Sequence, residues 1–172
     1  MAILTRAIKV AQKIQDVINE PETELKGKEF EDFTRSHLFT KNDYECLERT
    51  PNYIQNDYIE SLKKPDFKFR SRKRGKEFFV EAKYRSVLNR GSFEFKPDQL
   101  SRYKDYNKET PVYIVIGVGR QPQAPEKVFL IPIKDISIKF DKLSRSFLNK
   151  HQIPLESMYE RRKAIETIIG SL

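Results

Sequence analysis

The sequence is short of the residues that build disulfides and thiolate metal sites. Cys46 is the only cysteine, so an intramolecular disulfide and a cysteine-built zinc centre are both excluded. A reducing compartment agrees with that usage. The two histidines, His37 and His151, stand at no ligand-like spacing to each other or to Cys46. Long apolar runs are also missing: the longest, Val112 to Val118, has seven residues, against the roughly 20 that span a bilayer. No membrane helix is expected. The N-terminal apolar pattern is interrupted by Arg6, Lys9, Lys13 and Asp16 and has no small-residue cleavage site, so it does not read as a secretory leader. An intracellular, cytoplasmic setting is expected. Gly117-Val118-Gly119 lacks the third glycine and the helix of a dinucleotide loop, which excludes a Rossmann reading. Internal repeats and low-complexity tracts are absent. Apolar residues make up only 38% of 172, while Phe and Tyr bring aromatics to 12%, so the core of one domain must lean on its rings.

What is abundant is charge, and it is concentrated. Lys63, Lys64, Lys68, Arg70, Arg72, Lys73, Arg74 and Lys76 stand within fourteen residues that contain one acid, Asp66. Nearly all of the formal +8 lies there. A generally basic surface would spread it, whereas a local excess is the footprint expected for a polyanion, above all nucleic acid. A solvated loop or an anionic-lipid contact is the alternative on charge alone.

Periodicity gives the elements. Ile3, Leu4, Ala7, Ile8, Ala11, Ile14, Val17 and Ile18 share one helical stripe, predicting a helix over 3–19 that Pro21 ends. Phe30, Phe33 and Leu38 predict a second helix over 22–38. Residues 40–62 have no steady period, and only a short strand or irregular wrap around 43–60 is expected. From Asp66 the period becomes two: Phe67 and Phe69, then Phe78, Val80 and Ala82, with Gly75 between them, predict a β-hairpin. Pro97 opens a third helix to about Lys108. Val112 to Gly119 reads as a strand covered on both faces, Lys127 to Ile133 as another, and Leu155 to Ile169 as a closing helix. The expected architecture is an α/β layered domain with a mixed sheet.

Three polar residues stand where a purely structural hairpin does not need them. Asp66 begins the first strand, and Glu81 and Lys83, two apart, project from one face of the second. Among Phe78, Phe79, Val80 and Ala82, a carboxylate and an ammonium are costly unless paired or metal-bound. Carboxylates converging from adjacent strands suit Mg²⁺, which takes one or two protein carboxylates and keeps several waters. A lysine beside them can orient or deprotonate water and offset phosphoryl charge. That chemistry is phosphodiester hydrolysis. The bland alternatives are a turn residue at Asp66 and a solvated cross-strand ion pair at Glu81 and Lys83.

Pro65-Asp66, followed after fifteen positions by Glu81-Ala82-Lys83, resembles the motif of the PD-(D/E)XK nuclease superfamily with its restriction-endonuclease-like fold. Gly27-Lys28-Glu29-Phe30-Glu31 is similar to the Gly-x-x-Phe-Glu helix of restriction-type and resolvase-like members. Gln99-Leu100-Ser101-Arg102-Tyr103 is similar to the Gln-x-x-x-Tyr helix of the exonuclease-like branch. The resemblance implies metal binding by Glu31, Asp66, Glu81 and the Ala82 carbonyl, with Glu29 as a rival to Glu31. It implies catalysis by Asp66, Glu81, Lys83 and Gln99, with Asp98 as a rival to Gln99. Gln99 would act near the attacking water or the scissile phosphate, and Tyr103 would contact the DNA backbone or support Gln99. The basic residues Lys68, Arg70, Arg72, Lys73, Arg74 and Lys76 would track phosphates. The implied protein is a Mg²⁺-dependent deoxyribonuclease, with Mn²⁺ expected to substitute, acting as a resolvase-like or restriction-like endonuclease on DNA. A homodimer is the expected assembly, since two strands need two active sites. On this reading residues 1–172 form one nuclease domain: an N-terminal helix (1–20), a catalytic core (22–133) and a C-terminal extension (134–172). A non-catalytic nucleic-acid-binding module of the same fold, or a nuclease acting on RNA, is the competing class.

Overall fold

The computed structural model describes residues 22–50, 64–137 and 142–170. The helix expected over 3–19 lies outside them. In chain order the elements are helix α1 (22–33), which continues into a π-helical turn at Thr34–Leu38, then strands β1 (Tyr44–Arg49), β2 (Phe67–Ser71), β3 (Glu77–Arg85) and β4 (Phe93–Glu94). Helix α2 (Pro97–Tyr106), β5 (Val112–Val118), β6 (Lys127–Pro132), β7 (Lys142–Leu143), α3 (Arg145–Lys150), β8 (Gln152–Ile153) and α4 (Met158–Gly170) follow. Six strands form one sheet in the order β1-β2-β3-β5-β6-β8, and β4 pairs with β7 apart from it. Only the β3–β5 pairing is parallel, so the sheet is mixed, as the sequence pattern predicts.

The parallel pair needs a crossover, and the chain makes it through β4 and α2. Pro97 sets the first turn of α2. The helix stops at Tyr106, two residues before the expected end, where Asn107 turns its side-chain carbonyl onto the Val112 N–H at 3.0 Å. That bond ties the exit of α2 to the start of β5.

Each face of the sheet carries its own apolar layer. One holds Phe30, Phe33, Phe67, Phe69, Phe78, Val80, Tyr113 and Val115 under α1 and α4, which contribute Ile165 and Ile169. The other holds Val112, Ile114, Ile116, Phe129 and Ile131 under Leu100 and Tyr103 of α2 and Leu148 of α3. Burying such a ring or branched chain contributes roughly 1.5–3 kcal/mol each. The Phe30 ring occupies the space that a Cβ on Gly117 would need, so a glycine in mid-strand lets α1 lie close on β5. Gly75, at φ +69°, makes the β2–β3 turn.

Most differences from the sequence expectation concern short elements. The unsteady segment resolves into β1 over Tyr44–Arg49, and 51–63 lies outside the described residues. β4, β7 and β8 have two residues each, too few to show any period. Among the described residues, no helix is long and apolar enough to cross a membrane.

Candidate active site

In β3 the register fixes which side chains meet. Phe79, Glu81 and Lys83 stand beside Val112, Ile114 and Ile116 of β5 and share their face, the one that α2 covers. Glu81 is therefore a carboxylate inside an apolar layer, 3% exposed. Two donors hold it there. The Lys83 ammonium forms a short ion pair with its Oε1, and the Tyr103 hydroxyl, brought in by α2, hydrogen-bonds it from above. Burial, then the Glu81 charge and that hydrogen bond, push the Tyr103 phenol far above the ordinary tyrosine value, so it remains a donor.

Asp66 enters from the other strand. The β2–β3 ladder begins at Phe67 opposite Val80, and Asp66 lies just beyond it. There its Oδ2 accepts the Ala82 N–H at 2.7 Å, replacing the next rung of the sheet. A residue in an antiparallel ladder turns its N–H and C=O to the same neighbour, so the Ala82 carbonyl also leaves β3 on the Asp66 side. Burial, followed by the Glu81 carboxylate, raises the Asp66 carboxyl well above its usual range. Lys83 and the Ala82 N–H pull the other way, and Glu31 adds to the rise. Burial alone would lower the Lys83 ammonium, but Glu81 and Asp66 outweigh it and leave its pKa above that of an ordinary lysine. Lys83 is thus a charged donor at neutral pH. That favours orienting water over deprotonating it.

The two candidate glutamates of α1 separate cleanly. Glu31 is 6% exposed, and its charge reaches Asp66; the charge of Glu29 reaches Lys26 and Tyr84 instead. Glu31 is also held by Arg49 of β1 at 3.3 Å, while the same guanidinium meets Asp32 at 3.1 Å and lies over the Phe67 ring. Arg49 was not singled out in the sequence, because nothing in its irregular segment indicates that β1 brings it to this site.

Among the described residues, no three His, Cys, Asp or Glu side chains gather closely enough to hold an ion by themselves. The set that fits is smaller: the Asp66 and Glu81 carboxylates with the Ala82 carbonyl, hard oxygens in the number that Mg²⁺ asks of a protein. Three carboxylates act on one another here, and Lys83 is the cation that compensates Asp66, so the donor set favours a divalent ion. Gln99, half-buried one turn before Tyr103, donates its backbone N–H to the Lys96 carbonyl at 3.0 Å, and its side-chain carboxamide has no hydrogen-bond partner among the described residues. Asp98 points to Arg102 at 3.0 Å on the exposed side of α2, which removes it as a rival. Tyr103 requires a correction. At 2% exposed it cannot lie along a DNA backbone, and it braces Glu81 instead.

The basic hairpin is arranged differently from the expectation. Lys68 pairs with Glu77 at 2.8 Å, and Arg70 bridges Glu77 at 2.7 Å and Glu45 at 3.2 Å across three strands. Lys73 meets Glu166 of α4 at 3.2 Å, and Arg74 donates to the Gly170 carbonyl at 3.0 Å. Arg72 donates to the Lys41 carbonyl at 2.8 Å, which leaves its charge uncompensated by that contact. Lys76 is exposed. The turn also stands at the far end of β2 from Asp66, about 17 Å along a five-residue strand.

No family model and no curated protein matches the chain. Among solved structures it is similar to Hjc of Archaeoglobus fulgidus, a Holliday junction resolvase from an archaeal hyperthermophile. The TM-score is 0.52 at 16% identity, over 72% of this chain and 93% of that one. The likeness shows that the chain shares the mixed-sheet α/β fold of that structure. In it, Asp66, just before β2, and Glu81-Ala82-Lys83 in β3 stand on one hairpin.

Proposed function

We propose that the chain is a divalent-metal-dependent DNA endonuclease that hydrolyses phosphodiester bonds, of resolvase-like or restriction-like type. The observation that supports this reading most is the convergence of Asp66, Glu81 and Lys83 on one buried point, where the neighbouring carboxylates act on Asp66. Asp66, Glu81 and the Ala82 carbonyl would hold Mg²⁺ or Mn²⁺, with Glu31 at the edge of the site. A bound divalent cation supplies Lewis-acid polarisation of the phosphoryl group and lowers the pKa of the attacking water.

The chain's own residues do the rest. Lys83 stays protonated, positions the water and offsets charge growing on the phosphoryl oxygens. Tyr103 and Lys83 together fix the Glu81 carboxylate in one orientation. Gln99 offers a free carboxamide to the scissile phosphate or the water. Arg72, which is exposed and donates only to a main-chain carbonyl, is the hairpin cation best placed to meet a phosphate. Since cutting both strands of a duplex requires two such sites, the working form is proposed as a homodimer, which light scattering on the purified protein tests.

The decisive experiment incubates the protein with labelled linear, nicked, supercoiled, single-stranded and four-way-junction DNA, and with RNA, in Mg²⁺, Mn²⁺ or EDTA. DNA cut only with metal supports the reading, and a junction cut above the others supports the resolvase subclass. Preferred cleavage of RNA overturns the substrate assignment. Binding without cleavage in any metal overturns catalysis and leaves a binding module.

A further inference from the structure

We propose that a groove at the opposite end of β1 from Asp66 docks an acidic, amphipathic segment of a partner protein. The groove has a volume of about 860 Å³ and lies between the π-helical turn, the start of β1 and the start of α4. Its floor is apolar: Leu38, Phe39, Tyr44 and Ile165. At its rim Met158 and Tyr159 are 76% and 69% exposed, two large side chains at neighbouring positions with no apolar cover. The wall is a π-turn, a geometry found more often at functional sites than in plain scaffold.

Charge identifies the partner. The carboxylates of the rim are already used, Asp43 by Arg162 at 2.5 Å and Glu45 by Arg70 at 3.2 Å. Arg162 is spent there and on Glu166, but three other cations of the groove are not used by carboxylates. Arg35 and Lys41 are exposed and have no carboxylate partner among the described residues. Arg161 donates to the main-chain carbonyls of Leu155 and His37, and its Nε is buried with no hydrogen-bond partner among the described residues. An apolar trough ringed by uncompensated guanidinium and ammonium groups fits a segment that offers apolar anchors on one side and carboxylates beside them. A nucleic-acid backbone would meet the cations but leave the trough and Met158 uncovered. β1 has six residues, about 20 Å of strand, and its Arg49 end borders the carboxylate site. A partner seated at the Tyr44 end therefore leaves the nuclease site open. The groove is a recruitment surface, independent of whether the site at the other end cuts DNA.

The test selects a phage-displayed library of random 12-residue peptides on the full-length protein. Recovered peptides, labelled with fluorescein, are then titrated against the wild type, Met158→Asp and the double variant Arg35→Glu/Lys41→Glu. All three substituted side chains are exposed, so unchanged thermal melts are expected and serve as the folding control. The expected result is peptides that combine apolar anchors with two or more acidic residues and that bind each variant at least ten-fold more weakly. Recovery of basic or neutral peptides, equal affinity for the variants, or no recovery overturns the proposal. Two further outcomes also overturn it and name the true occupant. Displacement by a single-stranded DNA 15-mer that binds the wild type but not the double variant identifies a nucleic-acid surface. Recovery only from protein lacking residues 1–21 shows that the chain's own N-terminal segment fills the groove.

Discussion

The β2–β3 hairpin has a carboxylate end and a cationic end, and the two treat charge in opposite ways. At the first, Asp66 and Glu81 are crowded together with Lys83 as their compensating cation, and the carboxyl of Asp66 is driven up by burial and by its neighbours. At the second, a dense run of lysines and arginines is largely spent inside the molecule, on Glu77, Glu45, Glu166 and the end of α4. The sequence shows eight cations there and one acid. Folding brings the missing acids from β1, β3 and α4. The uncompensated charge of a site is thus the charge left after tertiary pairing, and by that measure the single acid is more exposed chemically than the basic run around it.

The strongest way to break this comparison is to neutralise the carboxylate end. Asp66→Asn and Glu81→Gln should each lower cleavage by at least about 10³-fold, with circular dichroism and gel filtration unchanged. Activity near the wild-type level in either variant removes that residue from the site. Lys83→Ala is expected to cost about 10²–10³-fold in turnover while calorimetry with Mn²⁺ still shows binding. Wild-type turnover in that variant would remove Lys83 from the mechanism.

Tyr103→Phe sharpens the comparison by removing one hydroxyl from Glu81. Turnover or metal affinity should fall about 10- to 100-fold, the range for partners that orient a ligand. If Tyr103 touched DNA instead, the KM for DNA would rise and metal affinity would hold.

The raised Asp66 carboxyl gives the next prediction. The folded chain holds that proton more tightly than the unfolded chain, so in EDTA stability falls as pH climbs from the ordinary aspartate value of 3.8 through the raised one. Above that value the whole deficit is present. Asp66→Asn removes the slope and should melt higher than the wild type at neutral pH in chelator. Identical pH profiles would place the Asp66 carboxyl in an ordinary environment. The smallest effect belongs to the cationic end. In the triple variant Arg72→Ala/Lys73→Ala/Arg74→Ala, a turn that tracks phosphates flattens the dependence of log K on log salt by about 0.9 for each lost contact. With Lys73 and Arg74 engaged by α4, a total flattening of no more than about 0.9 is expected, together with a slightly lower melting temperature. A loss near three contacts would mean that DNA draws these cations away from α4.

What was legible in the sequence is what local period and spacing encode. The alternation around Phe67–Phe69 and Phe78–Ala82 places a hairpin, Pro97 places the start of α2, and the apolar run Val112–Val118 places a strand covered on both faces. Because side chains alternate along a strand, Glu81 and Lys83 were bound to share a face, and a carboxylate two residues from a lysine there had to be paired or metal-bound. The two-residue strands β4, β7 and β8 left no such trace, since a period needs repeats to be seen. Only tertiary structure decided the rest. It set the charge of Glu31, and not that of Glu29, against Asp66, and it buried the Tyr103 hydroxyl on Glu81. It carried Arg49 to the site and set Glu77, Glu45 and Glu166 against the basic run. The physical reason is that a sequence fixes which groups are present and which face of an element they share, whereas the partner that compensates a charge arrives from another element across a sheet register that no local pattern records.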